Sequence, residues 1–140
     1  LDRAEEAALL AEARRQIERC GLGAHADTPA ASLALGQQRI VEIARALAAN
    51  PKVLLLDEPA AGLNPSEVQE FIALVGALRE RFGFAVLVIE HRMEVIMTLC
   101  ARIYVLNFGK LLACGTPAEI RENREVAEAY IGREDATCSA

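Results

Sequence analysis

The chain has 140 residues, 53% hydrophobic and 25% charged, with a formal net charge of −5. That composition excludes a disordered chain and suits one globular domain or part of one. The acidic balance, without any dense Lys/Arg stripe, argues against nucleic acid as a partner and against a charge-driven hold on a membrane surface. The four cysteines, Cys20, Cys100, Cys114 and Cys138, include no CxxC pair, and only two histidines are present. They read as the reduced thiols of a cytosolic protein. No apolar run approaches the ~18 residues that span a bilayer, and no signal peptide is visible. The chain starts at Leu1 in what reads as the middle of a helix, so a piece of a longer protein is expected.

In chain order, LDRAEEAALLAEARRQIERC carries apolar residues at helical spacing, and Gly21 and Gly23 end that helix. Residues 24–32 are expected to be loop. GQQRIVEIARALAA is a second helix with Ile40, Ile43, Ala44 and Leu47 on one face, stopped by Asn50-Pro51. Residues 53–57 read as a uniformly apolar strand of the kind buried on both faces. Asn64-Pro65-Ser66-Glu67 has a helix cap, a first-turn proline and an acid at the third position, which predicts a helix to about Phe82 and Gly83. FAVLVIE is a second buried strand, MEVIMTLC a short helix and RIYVLN a third strand. Asn107-Phe108-Gly109-Lys110 is a turn into LLACG. Thr116-Pro117-Ala118-Glu119 opens another capped helix, NREVAEAYIG a last one, and residues 133–140 are expected to be a disordered tail. Strands alternating with helices predict βαβ units and a parallel sheet.

Ligands of such sheets bind at the carboxyl ends of the strands, where VLLLDE places Asp57 and Glu58. An apolar strand ending in Asp is the pattern in which that Asp holds Mg²⁺, commonly through water. A second carboxylate beside it is suited to accept a proton from a water attacking phosphate. The bland alternative is a strand end exposing two solvated acids. FAVLVIEH ends at Glu90-His91, on the expected same sheet edge. His91 there is suited to donate to a terminal phosphate oxygen, although a histidine taken alone is more often a structural one. LALGQQ ends a loop and opens a helix, with free amides and the helix dipole ready for an anion. Gly36 would admit a phosphate close to the backbone. A plain helix start is the alternative, and His25 is assigned nothing.

Taken together, the order LALGQ, VLLLDE, AGLN, IEH resembles the ATP-binding subunit of ABC transporters. LALGQ (Leu33, Ala34, Leu35, Gly36, Gln37) looks like the family signature. VLLLDE looks like Walker B with the catalytic glutamate, AGLN (Ala61, Gly62, Leu63, Asn64) like the D-loop, and IEH like the H-switch. DEPAAGLNP, VIEHRMEVIM and RIYVLNFGKLLACGTPAEIRENREVAEAYIG are similar to the ATPases of branched-chain amino acid importers. The chain departs from the family at Ala34, where Ser is usual, at Leu35, and at Arg92, which replaces an acid. No GxxxxGK[ST] occurs in the 140 residues, so the chain resembles the C-terminal half of the nucleotide-binding domain.

The resemblance implies an α/β P-loop NTPase-like fold, a parallel sheet flanked by helices. Residues 1–50 would end the helical subdomain, 51–115 form the second half of the catalytic core, and 116–132 form a C-terminal helical extension. It implies ATP and Mg²⁺ as cofactors. Asp57 would organise the metal, Glu58 polarise the attacking water and His91 contact the γ-phosphate. Residues 33–37 would reach the ATP of a second ATP-binding subunit, like or unlike this one, and Ala61 to Asn64 would touch that subunit. Transmembrane permease subunits, and indirectly an amino-acid-binding protein outside the membrane, would complete the importer. The ATPase would sit peripherally on the cytoplasmic face of the inner membrane. The rival readings are a non-transport ABC ATPase, for which basic extensions or heptad arms are lacking, and a catalytically inactive half-domain that only pairs.

Overall fold

A computed structural model describes residues 2–134. It divides into two compact units, the first ending at His91 and the second starting at Arg92.

In the first unit, helix α1 spans Arg3–Arg19. Asp2 Oδ1 accepts the N–H groups of Ala4 and Glu5 at 2.7 and 2.8 Å, and the Glu5 carboxylate accepts from Asp2 N–H at 3.1 Å. This closed capping box satisfies the amides that a helix start leaves unpaired; the expectation of a helix already under way at Leu1 falls on a residue outside the described ones. Gly21, at φ 75°, ends the helix as expected. The expected loop at 24–32 contains two short 3₁₀ turns, Gly23–His25 and Ala30–Ser32. Helix α2 spans Leu35–Leu47 and buries Ile43, Ala44 and Leu47.

Strand β1, Val53–Asp57, pairs in parallel with β2, Ala85–Ile89, in the register Leu54↔Val86 and Leu56↔Val88. Helix α3, Pro65–Phe82, connects them, with Asn64 as cap, Pro65 in the first turn and Gly83 in the left-handed region at its end. Each of these α3 features follows the sequence expectation. The core gathers Val68, Phe71, Ile72, Val75 and Leu78 of α3, the α2 face, Leu54 and Phe84.

The strands themselves are not buried on both faces. Leu54 is 4% exposed, but Leu55 is 69%, and Val53, Leu87 and Ile89 are also exposed. Strand side chains alternate, and within this unit the face carrying residues 53, 55, 87 and 89 has no covering layer. An apolar run announces a strand suited to two covered faces. It does not supply the second cover.

In the second unit, α4 spans Met93–Leu99. Strands β3, Ile103–Asn107, and β4, Lys110–Gly115, form an antiparallel hairpin in a sheet of their own, with an irregularity at Val105/Leu106. Among the described residues, the third strand thus joins no parallel pair. A two-residue turn at Phe108 and Gly109, both at positive φ (46° and 76°), folds it back at once. Helices α5, Pro117–Glu122, and α6, Arg124–Glu134, follow. Ile103, Ile120 and Val126 form the core, with Ile96, Met97, Val105 and Leu112 packed on it. Helix α6 runs two residues into the span expected as a tail. Residues 135–140, with Cys138, lie outside the described residues.

Thr116 caps α5: its backbone N–H and its hydroxyl donate to Glu119 Oε2 at 2.7 and 3.0 Å. The backbone bond first, then the hydroxyl, holds the Glu119 carboxyl below the usual carboxylate range. A lowered folded pKa adds stability that is complete above the unfolded value and lost as pH falls through the folded one. Glu119→Gln is therefore expected to destabilise the protein at neutral pH, with the difference vanishing in acid below the carboxylate range. Urea unfolding of both proteins across that range measures it.

Candidate functional site

Parallel pairing brings the carboxyl ends of β1 and β2 to one edge. Asp57 lies opposite Ile89, and Glu58 N–H donates to Ile89 O at 2.8 Å, carrying the ladder one residue beyond the strand. Glu58 then turns sharply, at φ 44°. Few non-glycine residues adopt that conformation, and such strain concentrates at functional sites. The Glu58 side chain is 57% exposed and His91 is 68% exposed, with Glu58 Oε1 3.7 Å from His91 Nδ1. At that separation the two exposed groups are too far apart for a hydrogen bond to each other. Asp57, Glu58 and His91 are thus brought together, as the sequence reading expects.

Glu90, to which the sequence reading gave no separate role, sits at the centre of this edge. Its side chain is 0% exposed. Oε1 accepts Ala60 N–H at 3.0 Å and Oε2 accepts His91 N–H at 2.9 Å. A signal for it exists in FAVLVIE. Val86, Val88 and Glu90 share one strand parity, so the acid falls on the half-buried side of the strand, where a charge requires partners.

The two loop motifs are also adjacent. A Cβ on Gly62, at φ 78°, would lie 2.8 Å from Leu35 Cδ2, so Leu35 packs directly over that glycine. A Cβ on Gly36 would lie 3.0 Å from Glu67 Oε1, so the space that Gly36 leaves is taken by the Glu67 side chain. Leu33 and Leu63 are buried in the unit's core. Asn64 spends its side chain on capping α3, accepting Glu67 N–H at 3.0 Å. Gln37 Oε1 accepts Ala34 N–H at 3.2 Å, and the Gln37 amide nitrogen lies 3.0 Å from His25 Nε2. His25 thereby buttresses residues 33–37, a role its loop position gives no hint of.

Ala34 is the N-cap of α2 in extended conformation, but it has no side-chain oxygen to offer. Ala34→Ser is expected to complete a box with Gln37 and stabilise the protein by about 1 kcal/mol. Thermal unfolding of the two proteins checks this.

Among the described residues, no group of three His, Cys, Asp or Glu side chains is placed to hold a metal alone. Mg²⁺ does not require one, since it binds through one or two carboxylates with water and substrate phosphates. The adjacent carboxylates Asp57 and Glu58 at the open sheet edge fit that mode.

Residues 3–61 match the family model described as ABC transporter, and residues 110–136 the one described as branched-chain amino acid ATP-binding cassette transporter. The chain is 50% identical over 116 residues to the high-affinity branched-chain amino acid transport ATP-binding protein LivG of Salmonella typhimurium, covering 83% of this chain and 46% of LivG. It is 43% identical over 108 residues to the lipopolysaccharide export system ATP-binding protein LptB of Escherichia coli, covering 77% of this chain and 44% of LptB. The chain thus spans about half the length of the curated relatives it matches. Its fold is similar to that of an ATP-binding cassette of an ABC transporter in the ADP conformation. There the TM-score is 0.79 at 33% identity, over 86% of this chain and 49% of that one. With the motif order, the strand-end cluster and these matches in agreement, the chain belongs to the ABC transporter family of ATP-binding proteins.

Proposed function

We propose that the full-length protein carrying this chain is the ATP-hydrolysing subunit of an importer for branched-chain amino acids. The observation that carries the reading is the gathering of Asp57, Glu58 and His91 at one sheet edge, with Glu58 and His91 3.7 Å apart. Glu58 takes the proton of the water that attacks the γ-phosphate. His91 hydrogen-bonds a γ-phosphate oxygen and senses its presence. Asp57 would hold Mg²⁺, which when bound would supply charge neutralisation on the phosphate oxygens. Residues 33–37 close on the ATP of a second ATP-binding subunit through the helix start at Leu35, and residues 61–64 lie at that dimer contact.

Transmembrane permease subunits would convert dimer closure into import, with a binding protein delivering cargo from outside. The ATPase would lie peripherally on the cytoplasmic face of the inner membrane. No helix among the described residues is long and apolar enough to cross a membrane. The cargo is inferred from the match at residues 110–136. Likeness of the ATPase portion alone does not separate amino acids from other loads, as the identity to a lipopolysaccharide export protein indicates.

Deletion of the full-length gene is expected to abolish high-affinity uptake of labelled leucine, isoleucine and valine. The wild-type gene would restore uptake and a Glu58→Gln gene would not. Normal uptake in the deletion strain refutes the cargo.

The 140 residues contain no GxxxxGK[ST], the loop whose amides and lysine cradle the phosphates. This chain alone is therefore expected to hydrolyse no ATP. Mg²⁺-dependent phosphate release by the purified chain, abolished by Glu58→Gln, would overturn that.

A further inference from the structure

We propose that Glu90 is a positioning residue for hydrolysis, locking the backbone at His91 to the backbone that leads into residues 61–64. The inference rests on the reading of Glu58 and His91 given above. The Glu90 carboxylate is sealed from solvent. One oxygen takes the N–H of Ala60 at 3.0 Å, and the other takes the N–H of His91 at 2.9 Å. Ala60 is itself 0% exposed. It stands within the turn in which Ala61 N–H donates to Glu58 O at 3.0 Å, and its carbonyl accepts Leu63 N–H at 3.2 Å. One side chain therefore bridges the histidine that faces the phosphate and the turn that carries both Glu58 and the partner-facing loop.

Both bonds run from backbone amides to the two oxygens of one carboxyl group whose side chain is shut off from solvent, where a hydrogen bond is electrostatically stronger than in water. A shift of the His91 backbone on loss of the γ-phosphate would be passed through this carboxylate to Ala60, and so to residues 61–64. The geometry is specific to glutamate. Glutamine offers one accepting oxygen and would set an NH₂ against the second N–H. Aspartate is one methylene short of spanning both.

The test uses the full-length protein with Glu90→Gln, Glu90→Asp, Glu58→Gln and His91→Ala. Steady-state ATP hydrolysis and amide hydrogen exchange at residues 60 and 91 are the readouts. Glu90→Gln is expected to lower kcat by about tenfold or more, the scale of a misplaced catalytic group, while KM for ATP stays within about twofold. Exchange at both amides should accelerate together. Should Glu90→Gln not fold, Glu90→Asp, which keeps the charge, carries the test with the same expectations.

In a His91→Ala background, the Glu90 substitution should reduce the residual rate no further, because the residue acts through His91. An equal loss in both backgrounds, or a loss confined to KM, would show a merely structural role and overturn the proposal. Unchanged kcat in the Glu90 variants, with Glu58→Gln and His91→Ala each strongly slowed, would overturn it while leaving the site reading intact. Wild-type turnover in Glu58→Gln and His91→Ala would remove the site reading, and the Glu90 proposal with it.

Discussion

In the full-length protein, Glu58→Gln is expected to lower ATP turnover by about two to four orders of magnitude, the range carried by a positioned general base. ATP affinity should change little. The argument starts from the backbone. Glu58 is held at φ 44°, a conformation that costs on the order of 1–3 kcal/mol for a residue with a Cβ. The hydrogen bond from its own N–H to Ile89 O at 2.8 Å and the turn closed by Ala61 N–H on its carbonyl keep it there. The outcome is a carboxylate turned out of the strand, largely exposed and facing His91 at 3.7 Å. Glutamine keeps that shape and still hydrogen-bonds a water, but it accepts no proton at neutral pH. Binding and dimer closure should survive while the chemical step stops, so ATP should trap a closed dimer. Phosphate release and size-exclusion chromatography with ATP measure the two effects. Wild-type turnover in the variant would remove Glu58 as the base.

Local chemistry made much of the fold readable in advance. Asn64-Pro65-Glu67, Gly83, Phe108-Gly109 and Thr116-Pro117-Glu119 each announce a helix end or turn through their own hydrogen bonds or φ, and each lies where expected. The ends of β1 and β2 were legible because a parallel pair must bring its carboxyl ends together. What escaped depends on contacts distant in sequence. The Glu90–Ala60 bond spans 30 residues, and the pairing of His25 with Gln37 and the seat of Leu35 over Gly62 likewise follow no period. The exposed face of β1 and β2 escaped for another reason. Val53, Leu55, Leu87 and Ile89 have the composition of buried residues, yet burial requires a second layer that these residues cannot themselves provide.

Phe71→Ala is expected to be the most damaging single truncation in the first unit, costing about 3–5 kcal/mol. That is a large fraction of the ~5–15 kcal/mol by which domains are stable. Phe71 is 1% exposed, with Val68 and Val75 at 0% and 1% one turn to either side on α3. It borders a cleft shared with Ile43 and Leu54, so it joins α2, α3 and β1. Removing the ring leaves a void that three elements must collapse to fill, and close-packed elements relax only in part. Leu55 supplies the control. It neighbours Leu54 in the same strand but points to the open face, 69% exposed. Leu55→Ala should change stability by no more than about 0.5 kcal/mol. Urea unfolding of the purified chain at two protein concentrations separates the cases. A Phe71 cost independent of concentration with a negligible Leu55 cost is the expected result. If Leu55→Ala is instead costly, and more so at the higher concentration, the open sheet face is covered in solution by a second copy of the chain.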